Sequence, residues 1–238
     1  AGLAHPGSDP MTLFLLLLLG FIVSHIALAT PPLRDQLVAR LGATGFMIGY
    51  SILSLALLFG AVQAYQGVPD RQLWTAGPLA YLVSNVVMLV ASILFAGSLT
   101  PANRALAGVP VKGPAAPSGV MRITRHPMMW AFGLWAIVHI LLSGNLPTVL
   151  FAGGIGVLAL VGSAFQDGKK RRAMGADWAA YEEKTSYWPL GAQLSGRQPW
   201  SSLWPGPLPV GLGIALYLAL TWAHPVLMKA PAVGIWAR

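Results

Sequence analysis

The chain has 238 residues, of which 55% are hydrophobic and only 9% charged, and its mean hydropathy is +0.65. A soluble domain carries about 25% charged residues, so this composition excludes a water-soluble enzyme and, despite a net charge of +8, a soluble nucleic-acid-binding domain. Cysteine is absent, which removes disulfides, iron–sulfur clusters, cysteine-based zinc sites and cysteine nucleophiles together.

Residues 1–10 are polar and rich in Pro and Gly, and Met11 follows; they read as a tag remnant outside the fold, and His5 goes with them. Six apolar stretches come next, at 12–29, 46–65, 76–97, 127–143, 146–164 and 207–229. Each is near the roughly 17–25 residues a helix needs to cross the hydrocarbon core. None alternates as a barrel strand does. The expected fold is therefore all-α: one integral membrane bundle of about six transmembrane helices over residues 11–238. The first run ends in Ala27-Leu28-Ala29, a small-residue pattern of the kind found at signal cleavage sites, but no Lys or Arg precedes it and it is read as a retained span. The fourth and fifth runs are separated only by a tight turn with Gly144 and Asn145.

The cations sort by side. With six spans, one side holds Arg71, Lys229 and Arg238. The other holds Arg34, Arg40, Arg104, Lys112, Arg122, Arg125, Lys169, Lys170, Arg171, Arg172, Lys184 and Arg197. Positive loops stay cytoplasmic, so both termini are expected to be periplasmic and the loops 98–126 and 165–206 cytoplasmic. The first of these loops carries a flexible Pro/Gly-rich stretch, residues 107–119. In the second, Met174, Trp178 and Tyr181 share a helical face, which predicts a short amphipathic helix within 167–184. It either lies on anionic lipid or closes over a pocket. Trp188, Trp200 and Trp204 suit interfacial anchoring.

Ionisable groups inside lipid are functional candidates. The spans contain no Asp or Glu, which disfavours transport coupled through buried acids. No P-loop, dinucleotide fingerprint or HExxH zinc motif is present. His224, followed by Pro225, is near the end of the last span and within reach of interfacial water. His126 stands at the mouth of the fourth span, in Arg125-His126-Pro127. His25 and His139 lie deeper, among apolar neighbours. Either each hydrogen-bonds a neighbouring helix, or the two together are axial ligands of a haem between the first and fourth helices. Without cysteine that haem is non-covalent haem b. Depth complicates the pairing. His25 is roughly 9 Å from the cytoplasmic end of its helix and His139 roughly 18 Å from the same side. One iron bridges them only if the helices are offset or tilted. Arg34, Arg122 and Arg125 are candidate propionate partners, or simply positive-inside residues. Asn85 is costly to bury alone and is expected to bond a neighbouring helix or line the pocket.

A set of residues carries a resemblance. They are Ser24-His25, Leu28-Ala29 and Leu33-Arg34; then Arg122-Ile123-Thr124-Arg125-His126-Pro127 with His139 beyond; then Gln166-Asp167-Gly168-Lys169, Trp178, Tyr181 and Thr185. In these the chain resembles the NnrU family of bacterial membrane proteins, which includes the plant and algal 15-cis-zeta-carotene isomerase. The resemblance implies a bacterial inner-membrane location. It implies haem b held by His25 and His139, which would also form the catalytic centre. It implies cis–trans isomerisation of a hydrophobic polyene that enters from the lipid, with an electron donor to reduce the iron. One departure stands out: the isomerase has a cysteine in the turn before its haem histidine, and this chain has Ala136 there. The family name reflects an association with nitrogen oxide respiration, so a non-enzymatic haem or redox protein is an alternative. The Arg-His-Pro triplet also resembles membrane methyltransferases that bind S-adenosylmethionine with a downstream Glu pair; this chain's Glu182-Glu183 falls later than those enzymes place their acids.

Overall fold

The structure is a computed structural model that describes residues 9–100, 103 and 116–228. Arg104, Lys112, Lys229, Arg238, His5 and most of the Pro/Gly-rich stretch lie outside the described residues.

Eight helices are present among the described residues: α1 (Pro10–Ala29), α2 (Leu33–Tyr65), α3 (Pro78–Ser98), α4 (Pro127–Ser143), α5 (Leu146–Met174), α6 (Ala176–Lys184), α7 (Gly191–Leu194) and α8 (Pro207–Met228). Short 3-10 turns lie at Gly119–Arg122 and Trp200–Leu203. Five helices are long and apolar enough to cross a membrane: α1, α2, α3, α5 and α8. The sixth apolar helix, α4, has 17 residues and sits at the short end of the spanning range. Leu55, Phe59, Leu79 and Trp222 point outward. Such an apolar exterior suits lipid and not water.

Local chemistry sets the helix starts. Proline occupies the first turn of α1, α3, α4 and α5, where its missing amide hydrogen costs nothing. The Asp9 side chain accepts from the Thr12 amide at 3.2 Å and caps α1. Asp9 and Pro10 thus take part in the start of α1.

Two boundaries differ from the sequence expectation. Helix α2 starts at Leu33, thirteen residues before the expected span at 46, and is broken at Gly42 (φ 71°, ψ 163°). Only glycine takes that conformation without strain, so Gly42 separates a polar leading piece, with Arg34, Asp35 and Arg40, from the apolar span. Helix α5 continues to Met174, so the Lys-Lys-Arg-Arg run forms its last turns. The amphipathic segment expected across 167–184 is therefore two pieces, the end of α5 and the separate helix α6, joined at Gly175.

The helices pack in the spatial order α2, α1, α5, α4, α3, α8. Close approach is achieved through small residues, the usual solution where lipid removes the hydrophobic drive. A Cβ on Gly213 of α8 would stand 2.5 Å from the Ile93 Cα of α3, and one on Gly156 of α5 would stand 2.8 Å from the Ala136 Cβ of α4. One end of the bundle is knitted by the loop after α2: Leu73 donates to the Gly144 carbonyl at 2.7 Å, Leu146 donates to the Arg71 carbonyl at 2.9 Å, and Asn145 Nδ2 donates to Asp70 Oδ1 at 2.6 Å. The other, basic end carries α6, α7 and the cations of α5. There residues 185–190 strap the entry to α4, with Arg125 donating to the Ser186 carbonyl at 2.9 Å and Thr124 Oγ1 to the Tyr187 carbonyl at 2.7 Å.

Candidate functional site

His139 lies one turn from the C-terminal end of α4. Its Nδ1 donates to the Trp135 carbonyl at 2.8 Å, and its ring lies on the Trp135 ring at 4.4 Å. The backbone bond fixes the neutral tautomer, so Nε2 is the nitrogen that presents a lone pair. A bond of this kind behind an imidazole orients it and raises its basicity as a metal ligand. Across from it, on α8, is His224: the two ring centres are 6.4 Å apart with planes at 35°.

His25 occupies a different environment. It lies near the basic end of α1, where Nδ1 donates to the Phe21 carbonyl at 3.2 Å. Its ring sits 4.3 Å from Phe21 and 5.1 Å from Tyr50 of α2. Helices α1 and α4 both pack on α5, which stands between them. Depth can be followed along α5: a Cβ on Gly154 would touch Leu18 and Ile22 of α1, and one on Gly153 would touch Ile140 of α4. His139 is next to Ile140, whereas His25 is almost a full turn beyond Ile22 toward the basic end. The structure gives both imidazoles the same backbone support, with His25 nearer the basic end of the bundle than His139.

Arg125 and His126 enter a buried ion cluster at the basic end. His126 Nε2 is 2.7 Å from Asp167 Oδ1, and Arg125 donates through Nε and Nη2 to Asp167 Oδ2 at 3.0 and 2.5 Å. Arg125 Nη2 also lies 3.3 Å from Glu182 Oε1 of α6. Arg171 completes the set with two bonds to the Glu182 carboxylate, at 2.8 and 2.7 Å. Arg125, His126 and Asp167 are all buried. The cluster ties the entry of α4 to the end of α5 and to α6. Trp178 and Tyr181 of α6 are themselves buried and packed with Met174, so this amphipathic face docks on protein instead of on lipid. In the sequence, the place of Asp167 as the acid directly after the apolar part of α5 is the signal for this role.

The remaining candidates are dispersed. Asn85 Nδ2 donates to the Tyr81 carbonyl at 2.9 Å, and Asn85 Oδ1 accepts from Tyr217 of α8 at 2.8 Å. Arg34 lies beside Asp35 at 3.6 Å and over the Phe46 ring at 5.7 Å. Arg122 Nε donates to the Pro117 carbonyl at 3.1 Å. Arg125 precedes His139 by fourteen residues, about 21 Å along a helix. The three arginines therefore gather at the basic end, remote from His139.

The family described as NnrU protein matches residues 13–232, nearly the whole chain. The chain belongs to the NnrU family. Among curated relatives, this NnrU member is 29% identical over 202 residues to the chloroplastic 15-cis-zeta-carotene isomerase of Arabidopsis thaliana, covering 80% of this chain and 52% of that protein. It is 34% identical over 83 residues to the Zea mays enzyme of the same name, covering 34% of this chain and 22% of that protein. The chain thus spans about half the length of the Arabidopsis relative, or less for the maize one. No solved structure matches it.

The haem implied by the family can be weighed against these residues. Among the described residues, no group of three or more His, Cys, Asp and Glu is gathered to hold a metal ion. A bare ion, which needs four or more ligands, is therefore not served by protein side chains alone. A haem iron arrives with four equatorial nitrogens and asks the protein only for axial donors. The oriented, neutral imidazole of His139 fits that demand.

Proposed function

We propose that this protein is a haem b-binding membrane isomerase that rotates a cis double bond of a carotenoid precursor, resembling 15-cis-zeta-carotene. The observation that carries the proposal is His139: an imidazole in an apolar helix, held by the Trp135 carbonyl in the tautomer that presents Nε2. Family membership and similarity to two isomerases supply the reaction class. When bound, haem would supply an iron able to draw electron density from a conjugated double bond and so lower its rotation barrier. The chain's own residues bind and orient the iron-bearing group at His139, and the apolar helix faces exclude water. A polyene reaches such a site laterally from the lipid, without crossing a polar surface. Reduction of the iron calls for an electron donor outside this chain.

The test is direct. Protein purified from haem-replete cells is incubated with a 15-cis polyene under reducing conditions, and the product isomers are separated chromatographically. Conversion by the native protein, and none by His139→Ala, is expected. A haem-loaded native protein that leaves the polyene unchanged contradicts the isomerase function and favours a redox or sensing role. A colourless protein that binds S-adenosylmethionine contradicts haem and favours methyl transfer.

A further inference from the structure

We propose that the phosphate of an anionic phospholipid binds at the basic end, between the α1–α2 junction and the end of α5, held by Arg34, Lys169 and Arg172. A cavity of about 410 Å³ lies there, lined by Thr30, Pro31, Asp35 and Arg172. Arg34 comes from the first turn of α2 and the other two cations from the last turns of α5. Lys169 is partly buried and lies within electrostatic reach of both arginines. Asp35, 3.6 Å from Arg34, is the acid of the cavity lining. Among the described residues no carboxylate pairs with Lys169 or Arg172. Three cations thus converge on one carboxylate. Like charges held together repel, and an anion between them relieves that repulsion.

Helix geometry separates these cations from the buried ion cluster. At 3.6 residues per turn, Asp167 and Arg171 share the face of α5 that meets Arg125 and Glu182, and Lys169 and Arg172 take the opposite face. Cations at the end of α5 suit its helix dipole, but Arg34 at the start of α2 opposes the dipole there. The dipoles therefore do not account for the convergence. The Arg34 guanidinium lies 5.7 Å from the Phe46 ring centre, a contact that favours its position. The same face of α5 carries Gly154, Val161 and Phe165. At Gly154 it meets Leu18 and Ile22 of α1. Nearer the basic end Val161 and Phe165 are exposed, so an apolar stripe leads from the cations toward the middle of the bundle. Phosphate on the cations with an acyl chain along this stripe matches the order of groups in a phospholipid. Inorganic phosphate would use only the cations. Basic pockets between membrane helices take anionic headgroups in this way.

The experiment is a thermal-unfolding titration of the full chain, stripped of native lipid in mild detergent, with haem content measured per chain. Phosphatidylglycerol, phosphatidylcholine and inorganic phosphate are added separately to native protein, Lys169→Gln/Arg172→Gln and Arg40→Gln. Phosphatidylglycerol is expected to stabilise the native protein at far lower concentration than phosphatidylcholine, and inorganic phosphate to leave it unchanged. One cation near anionic lipid is worth about fivefold in affinity, so the double variant should need about 25-fold more phosphatidylglycerol at unchanged haem content. Arg40→Gln, a cation outside the cavity lining, should respond as the native protein does. Equal responses of native and double variant, or an equal loss in Arg40→Gln, overturn the site. Saturable stabilisation by inorganic phosphate overturns the lipid as its ligand. Haem lost from the double variant in step with the lipid response assigns the cations to haem carboxylates and also overturns it. If the double variant does not fold, Arg172→Gln alone decides: a response about fivefold weaker supports the site, and an unchanged one overturns it.

Discussion

His126 Nε2 lies 2.7 Å from Asp167 Oδ1, and through this contact the residue that opens α4 is fastened to the basic-end turns of α5. Arg125 takes the other oxygen of the same carboxylate. The three groups are buried together, so the cluster stabilises only while it is complete. Removing one member of a buried pair leaves an uncompensated charge and costs about 3–5 kcal/mol. Asp167→Ala is expected to lower the thermal unfolding midpoint in detergent markedly. Asp167→Glu, which retains the charge, should lose less. Equal midpoints for native and Ala proteins would show the cluster to be energetically idle.

Helix α6 depends on Trp178, which is fully buried against Tyr181 and Met174. Truncating a buried aromatic costs about 3–5 kcal/mol. Trp178→Ala should release α6, exposing the Lys-Lys-Arg-Arg turns to trypsin at a protease dose that spares the native protein. Trp178→Phe should be cut far less. A proteolysis pattern identical for native and Ala proteins would mean that α6 is held by its ion pairs alone.

Gly213 sets the distance between α3 and α8. A Cβ there would meet the Ile93 Cα at 2.5 Å and its backbone nitrogen at 2.8 Å, atoms that cannot move aside as a side-chain tip can. Overpacking of this kind costs about 1–3 kcal/mol. Gly213→Ala is expected to destabilise the bundle in a detergent unfolding assay. Gly211→Ala is the control, since nothing lies within 4 Å of a Cβ at that position.

Tyr217 and Asn85 join the same two helices by a hydrogen bond of 2.8 Å. Interhelical hydrogen bonds in membranes contribute about 0.6 kcal/mol on average and up to about 2. Tyr217→Phe is therefore expected to cause a small loss of stability, smaller than that of Gly213→Ala. A larger loss would mean that the hydroxyl supports more than this contact.

Much of the architecture was legible in the sequence because lipid imposes a simple rule: an apolar run of spanning length becomes a helix. That rule found α1, α3, α4, α5 and α8, and the Gly144-Asn145 turn between α4 and α5. It missed the first part of α2, because Arg34, Asp35 and Arg40 make that piece polar, and only the backbone shows that Gly42 divides it from the span. It ended α5 too early, because a run of four cations looks like a loop although those residues are good helix formers. The ion cluster was hidden for another reason. Arg125 and Asp167 are separated by α4 and most of α5, and no spacing rule links residues so far apart. His25 and His139 stood out as the deepest histidines, but depth within a run says nothing about which helix stands beside which.

The central claim is that this chain binds a haem iron through the imidazole of His139. The absorption spectrum of the purified protein, oxidised and then reduced, tests it most directly. A Soret band that sharpens on reduction, with resolved low-spin bands that disappear in His139→Ala, is the expected result. A colourless native protein from haem-replete cells, or a native spectrum retained in full by His139→Ala, would contradict it.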